Sequence, residues 1–276
     1  MDFYRVSGAG NDFLALVEPP EAPDSSQVRA WCTRGLSLGA DGLFALYRAG
    51  DGVRMDYWNS DGHPADLCLN GTRCAARLAF ELGWAREETS IVTGAGRLLA
   101  RPAGPGRITI ELPPFPAPLR EVTLELDGEM LEGIFALAGV PHFVLEVSPP
   151  LGQVDVARLG PRLRHHPVFG SPGANIDWVH TVDPHLFHIR SFERGVEAET
   201  LACGTGVLAA AAAGVLTRSA RLPVTALTAG GFELTVDGLG KATPLPDRWL
   251  LTGDARILAH GTLTAEAAEL PTPPCW

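Results

Sequence analysis

Lysine is almost missing from this chain. Of its 22 basic residues, Lys241 is the single lysine. An enzyme that uses pyridoxal as an electron sink needs a Schiff-base lysine, and Gly238-Leu239-Gly240-Lys241 resembles no such context. A basic excess is missing too: the formal net charge is −10, which argues against a nucleic-acid partner. No apolar run reaches the ~18 residues of a membrane span. The N-terminus carries Asp2 and Arg5 and no long apolar core, so no signal peptide is read and a cytoplasmic location is expected. There is no C-x-x-C and no paired His/Cys spacing, which excludes a structural zinc site and a thiol–disulfide redox motif. The odd count of 5 cysteines points to reduced thiols. Cys32 and Cys74 read as small buried hydrophobes, and Cys275, in a proline-rich tail, as exposed.

What is present is a pair of matching cysteine loops. Cys68-Leu69-Asn70-Gly71 and Cys203-Gly204-Thr205-Gly206 each precede an alanine-rich apolar stretch. They belong to a wider duplication. Gly39-Ala40-Asp41-Gly42-Leu43-Phe44 resembles Gly173-Ala174-Asn175-Ile176-Asp177-Trp178, and Tyr57-Trp58-Asn59 resembles Ser191-Phe192-Glu193, both offset by 134 residues. The cysteines are offset by 135, and Asn11-Asp12-Phe13 matches Pro141-His142-Phe143 at 130. A period this long means duplicated domains and not a solenoid. With 276 residues and 46% hydrophobic content, two packed cores are affordable.

Alternation and turn residues predict strands at 2–6, 12–17, 42–48, 52–58, 88–93, 96–101 and 107–112. Helices are predicted over 26–36, capped by Ser25 or Ser26, and over 71–83. The run Pro113-Pro114-Phe115-Pro116-Ala117-Pro118 cannot continue a central strand and sets a domain boundary. Strands are expected again at 121–126, 131–137, 142–147, 176–182, 186–192, 223–228, 231–237 and 248–252. A short helix precedes 176, and a second long one covers 204–216. The run Ala209–Ala213 is small-sided all round, so that helix should be enclosed.

Cys-x-x-Gly opening a helix places a thiol where backbone N–H groups and the helix dipole favour an anion. Two such thiols facing one carbon suit the removal of a proton from one side and its return to the other. A proton next to an amino-acid carboxylate is very weakly acidic. Without a cofactor, a site must supply a desolvated base, an acid opposite, and donors for the carboxylate. Helix-start N–H groups at Asn70, Gly71, Gly204 and Thr205 meet the last need.

The motifs Gly10-Asn11-Asp12-Phe13, Asn59-Ser60-Asp61-Gly62, Cys68-x-Asn70-Gly71-Thr72-Arg73-Cys74, Pro141-His142, Ala174-Asn175-Ile176, Glu193-Arg194-Gly195 and Glu199-Thr200-Leu201-Ala202-Cys203-Gly204-Thr205-Gly206 strongly resemble diaminopimelate epimerase from Phe3 to about Gly261. The resemblance implies an α/β (α+β) fold of two pseudo-symmetric domains. Each would be a barrel-like, mostly antiparallel sheet around a central helix, with the active site in the cleft between them. The domains would be 1–115, joined by a C-terminal strand around 254–276, and 116–253. It further implies catalysis by Cys68 and Cys203 as the two bases, assisted by His142 and Glu193. Substrate contacts carry over to Asn11, Asn59, Leu69, Asn70, Asn175, Glu193, Arg194, Gly204 and Thr205. No metal or cofactor is implied; the partner is a small amino-acid substrate, and the assembly a homodimer.

Two departures bear on substrate identity. Leu69 stands where the family commonly has glycine, and Val140 where it often has asparagine before Pro-His. They keep open a racemase or epimerase of the same fold for a different amino acid, or a non-catalytic amino-acid-binding paralogue.

Overall fold

The computed structural model describes residues 1–241 and 244–269; the expectation for Cys275 lies outside them. The chain divides into two compact units. One is Met1–Ile110 with the described residues from Asp254 on; the other is Glu111–Gly253. The division falls inside a strand, a few residues ahead of the proline run.

The first unit runs β1 (Asp2–Gly8), β2 (Asn11–Val17), α1 (Ser25–Cys32), β3 (Gly42–Ala49), β4 (Gly52–Asn59), α2 (Leu69–Glu81), β5 (Thr89–Thr93), β6 (Gly96–Pro102) and β7 (Arg107–Leu112). The second has β8 (Arg120–Leu126), β9 (Glu129–Ala138), β10 (Val140–Glu146), α3 (Val156–Arg164), β11 (Asn175–Asp183), β12 (Leu186–Glu193), β13 (Ala198–Thr200), α4 (Gly204–Thr217), β14 (Val224–Thr228), β15 (Glu233–Leu239) and β16 (Arg248–Asp254). The last strand, β17 (Arg256–Thr262), returns to the first unit and pairs antiparallel with β1.

Strand pairing within the two units follows the same rule. In the first, β1–β2 is antiparallel, β2–β3 parallel, β3–β4 antiparallel, β4–β5 parallel and β5–β6 antiparallel. In the second, β9–β10, β10–β11, β11–β12, β12–β14 and β14–β15 repeat that succession. Each sheet wraps one helix: α2 touches β1 to β6 and β17, and α4 touches β9, β10, β11 and β15. Alanine is the best helix former, and its small side chain lets strands close in. Ala209 to Ala213 are all buried accordingly.

Pairing registers correct the duplication read from sequence. Phe44 stands opposite Tyr57, and Asp177 opposite Ser191. The two blocks offset by 134 therefore cannot both hold. A one-residue slip turns every side chain of a strand to the other face, so the cores decide. Leu14, Leu16 and Leu43 pack with Val28 and Trp31 of α1. Phe143, Leu145 and Ile176 pack with Val156 and Leu163 of α3. Matching these faces gives offsets of 129 for β2 against β10 (Leu14 to Phe143) and 133 for β3 against β11 (Leu43 to Ile176), and keeps 134 for β4 against β12 (Tyr57 to Ser191). Phe13, Gly42, Phe44, Tyr57 and Asn59 then correspond to His142, Asn175, Asp177, Ser191 and Glu193.

Two local readings also change. The cap of α1 is Asp24, not a serine, in a capping box with Gln27: Ser26 N and Gln27 N donate to Asp24 Oδ1 at 2.8 and 2.9 Å. That helix ends at Cys32 rather than residue 36, and the chain turns through Gly39, whose φ is +69°.

Leu14→Ala and Phe143→Ala, at matching places in the two cores, should each lower the unfolding free energy by about 3 kcal/mol or more in urea melts.

Candidate active site

In the second unit the site is built on the inner face of β10, β11 and β12 and on the first turn of α4. Cys203 is the N-cap of α4, in extended conformation with φ −108° and ψ 108°. Its buried Sγ lies 3.4 Å from Thr205 Oγ1. Thr205 Oγ1 in turn lies 3.0 Å from His142 Nε2, and His142 Nδ1 lies 2.6 Å from Asp177 Oδ2. Ser191 donates to the other Asp177 oxygen at 2.6 Å. His142 and Asp177 are both fully buried. A buried histidine–carboxylate pair fixes the ring's orientation, because burial penalises every polar atom left without a partner.

Glu193, on the same face of β12, hydrogen-bonds Cys203 and accepts from Thr200 Oγ1 at 2.5 Å. The residue is half-buried, but its carboxyl group is shielded from water, and that desolvation raises its pKa. Cys203 is pushed well above the ordinary thiol value by burial first, then by the charges of Glu193 and Asp177. The resting sulfur is therefore a thiol with an acceptor beside it. Gly206 makes the cluster possible: a Cβ there would fall 2.4 Å from Asp177 Oδ1. Asn175 accepts from Arg194 N at 2.7 Å and turns its amide nitrogen to His142 at 3.3 Å. The Arg194 guanidinium makes no ion pair among the described residues.

In the first unit Cys68 is the N-cap of α2, with φ −137° and ψ 106°, and its sulfur accepts from Gly71 N at 3.4 Å. It is partly exposed. The sheet positions matching the His142 cluster are aromatic here: Phe13 lies 6.3 Å from Phe44 and 6.1 Å from Tyr57, centroid to centroid. Leu69, the first residue of α2, is only 3% exposed, so its side chain has been packed away. Asn70 donates to Asn11 Oδ1 at 2.6 Å and accepts from Arg73 Nη2 at 2.8 Å. Asn11 donates to Asp41 at 3.2 Å. Arg73 is fully buried; it also donates to Asp254 O at 3.3 Å, and its Nη1 meets no acceptor among the described residues. Asn59, at the end of β4, is exposed and accepts from the Tyr57 hydroxyl at 3.1 Å.

The structure thus gathers Cys203, Gly204, Thr205, His142, Glu193, Asn175 and the Arg194 backbone into one cluster. Cys68, Leu69, Asn70, Asn11 and Asn59 lie together in the first unit. Sequence reasoning missed Asp177, Ser191, Thr200 and Tyr57. Asp177 and Ser191 sat inside the aligned repeat blocks, but the offset of 134 matched Asp177 to Leu43, on the opposite face. Cys32 and Cys74 are buried, and burial pushes the Cys32 thiol up to about 12. Among the described residues no cluster of metal-ligating side chains occurs, and no helix is long and apolar enough to cross a membrane.

Asp12 anchors the loop behind Asn11, paired with Arg5 and Arg34. Burial pushes its carboxyl up, but the Arg34 hydrogen bond and the two positive charges outweigh that and hold it below the ordinary value. A depressed folded-state pKa stabilises above the unfolded value, and that stability is lost as pH falls through the folded one. Asp12→Asn should therefore be less stable than wild type at neutral pH, and the gap should close in denaturant melts below about pH 4. Gly206→Ala, which must displace the Asp177 carboxylate, should cost about 2 kcal/mol by thermal unfolding.

Residues 3–111 and 134–245 match the family model of diaminopimelate epimerase. A diaminopimelate epimerase of Aquifex aeolicus is 35% identical over 98% of this chain and 100% of its own length. Another, from Gemmatimonas aurantiaca, is 36% identical over 95% of this chain and 99% of its own. Among solved structures, a putative phenazine biosynthesis PhzC/PhzF protein from Clostridium difficile aligns with a TM-score of 0.71 at 12% identity, covering 96% of this chain and 99% of that one. A probable proline racemase from Agrobacterium radiobacter aligns with the same TM-score of 0.71, also at 12% identity, covering 98% and 96%. At such identities the likeness is one of fold. The family rests on the sequence matches, which span both units: this chain belongs to the diaminopimelate epimerase family, and is an isomerase.

Proposed function

We propose that this enzyme interconverts LL- and meso-2,6-diaminopimelate by a two-base proton transfer at one α-carbon, with Cys68 and Cys203 as the bases. One observation carries the reading. Each unit places a cysteine as N-cap of the helix its sheet encloses, where the first N–H groups have no partner within the helix.

The substrate α-carboxylate would accept from the N–H groups of Leu69, Asn70, Gly204 and Thr205, and so gain donors that need no reorganisation as charge moves onto it. One sulfur, as thiolate, takes the α-proton; the other, as thiol, returns its proton to the opposite face. The new S–H and C–H bonds replace the old ones, and no electron leaves the system. Glu193, bonded to Cys203, accepts from that thiol and eases its ionisation when it must serve as base. His142, locked by Asp177, holds the Thr205 hydroxyl against the same sulfur.

The distal amino-carboxylate head would pair with the Arg194 guanidinium, which has no ion pair among the described residues, and with the amides of Asn11 and Asn59. Asn175, whose amide is spent on Arg194 N and His142, would position that arginine. A homodimer acting in the cytoplasm, where these thiols stay reduced, belongs to the same proposal. Half-buried Val140, which matches Asn11 in register, supports a second reading: another amino acid with a less polar distal end.

The test is α-proton exchange followed by NMR in D₂O with LL-diaminopimelate and no added cofactor. Wild type should incorporate deuterium and form the meso isomer. Cys68→Ala and Cys203→Ala should each lose epimerisation by about 10³-fold or more while leaving the fold intact by circular dichroism. Near-normal turnover in either variant overturns the two-base reading. Exchange with a different amino acid alone replaces the substrate.

A further inference from the structure

Cys203 sits among a histidine, two carboxylates and three hydroxyl groups. Cys68 lies on the matching helix start; Asn59 stands at the position of Glu193, and the positions of His142, Asp177 and Ser191 are held in the first unit by Phe13, Phe44 and Tyr57. Of these three rings, Tyr57 alone carries a polar atom, and its hydroxyl has two acceptors. One is Asn59 Oδ1, at 3.1 Å and two residues along the same face of β4. The other is the Cys68 sulfur, to which Tyr57 is also hydrogen-bonded.

The phenol reaches that place because position 42 is glycine. A Cβ on Gly42 would fall 2.8 Å from the Tyr57 hydroxyl and 2.8 Å from its ring edge. Gly42 corresponds to Asn175, which carries a functional amide in the second unit. The two units have thus filled equivalent space in opposite ways: a side chain from β11 in one, and a tyrosine leaning over a bare backbone in the other.

We propose that Tyr57 is a positioning residue for Cys68, whose hydroxyl donates to the sulfur when it is a thiolate and to Asn59 Oδ1 when it is a thiol. A single O–H cannot serve both acceptors fully. When Cys68 takes the α-proton, the new S–H turns to the phenol oxygen and the phenol O–H rotates to Asn59. When the proton leaves, the hydroxyl swings back. The phenol keeps its proton throughout, and no bond other than S–H and C–H is made or broken. The state of the sulfur is thereby tied to the orientation of the Asn59 amide. The inference rests on Cys68 acting as a base, and it gives that base a hydroxyl donor beside the Gly71 N–H already on its sulfur.

Burial, and then the neighbouring Cys68, raise Tyr57 well above the ordinary phenol value, so it remains a donor at working pH. The other titratable groups around the pair are Asp41 ahead of β3, Cys32 on α1, and Arg73 and Cys74 on α2, with Asp254, Arg107 and Arg256 behind those two. Asp41 is tied to Arg34, and burial keeps Cys32 and Cys74 protonated. All of them stay in place when the phenol oxygen alone is removed.

The experiment is iodoacetamide labelling of the full-length, reduced protein across about pH 6 to about pH 10, with Cys68 read by peptide mass mapping, because only the thiolate reacts. Tyr57→Phe keeps the ring against Phe13 and should move the Cys68 labelling midpoint up by about one pH unit, with labelling near pH 7 roughly tenfold slower. Asn59→Ala removes the competing acceptor and should move the midpoint down, a change of sign that mere loosening of the strand does not produce. A Tyr57→Phe profile that overlays wild type or moves down, in a protein with the wild-type melting temperature, overturns the proposal. Should Tyr57→Phe not fold, Asn59→Ala decides alone: a downward move supports the proposal, and none or an upward one overturns it. Labelling needs no substrate, so the result stands even where no amino acid exchanges its α-proton and the epimerase reading itself fails.

Discussion

A helix wrapped by a sheet begins where little water can reach its first N–H groups, and those groups must still be satisfied. Both halves of this chain meet that constraint with a cysteine held in extended conformation as the N-cap. Sulfur is a weak acceptor while protonated and a strong one as a thiolate. A helix start capped this way is left hungry for an anion. The chemistry assigned to Cys68 and Cys203 is the chemical face of a backbone accounting problem, and the buried alanines and glycines that let strands close on α2 and α4 serve the same end.

Within that shared scaffold the two sulfurs live in different solvents. Cys203 is buried beside two carboxylates, and both burial and charge favour its thiol form. Cys68 is partly exposed and faces aromatic rings with one hydroxyl among them. Duplication fixed the backbone geometry, and the side chains then diverged face by face. The polar cluster of the second unit is self-contained, each member holding the next: Ser191 to Asp177, Asp177 to His142, His142 to Thr205, Thr205 to Cys203. Such a chain is costly to leave half-made, so it specifies one rotamer for every residue in it.

Strand alternation, glycine and proline punctuation and the alanine run made the element order legible from sequence, because those signals are local. The cysteine loops were legible because a residue type and its spacing to glycine recur. The duplication was visible too, but its register was not. Short apolar blocks align almost equally well one residue either way, and only the cores behind α1 and α3 tell the two faces of β3 and β11 apart. Asp177, Ser191, Thr200 and Tyr57 escaped for the same reason: each is an ordinary strand residue whose importance lies in what stands across the sheet. β13, three residues long, is too short for any period to reveal. The cap of α1 was readable as Asp-x-x-Gln and was obscured by the serines that follow it.

The return of the last strand carries a consequence for how the molecule is made. β17 is the antiparallel neighbour of β1, joining Asp2–Ser7 to Arg256–Thr262. During synthesis the whole of the second unit leaves the ribosome before the strand that covers the free edge of β1 does. The first unit therefore waits with an open edge, the kind of surface that pairs with stray strands, while its duplicate closes. The half that is first in sequence is the last to be finished.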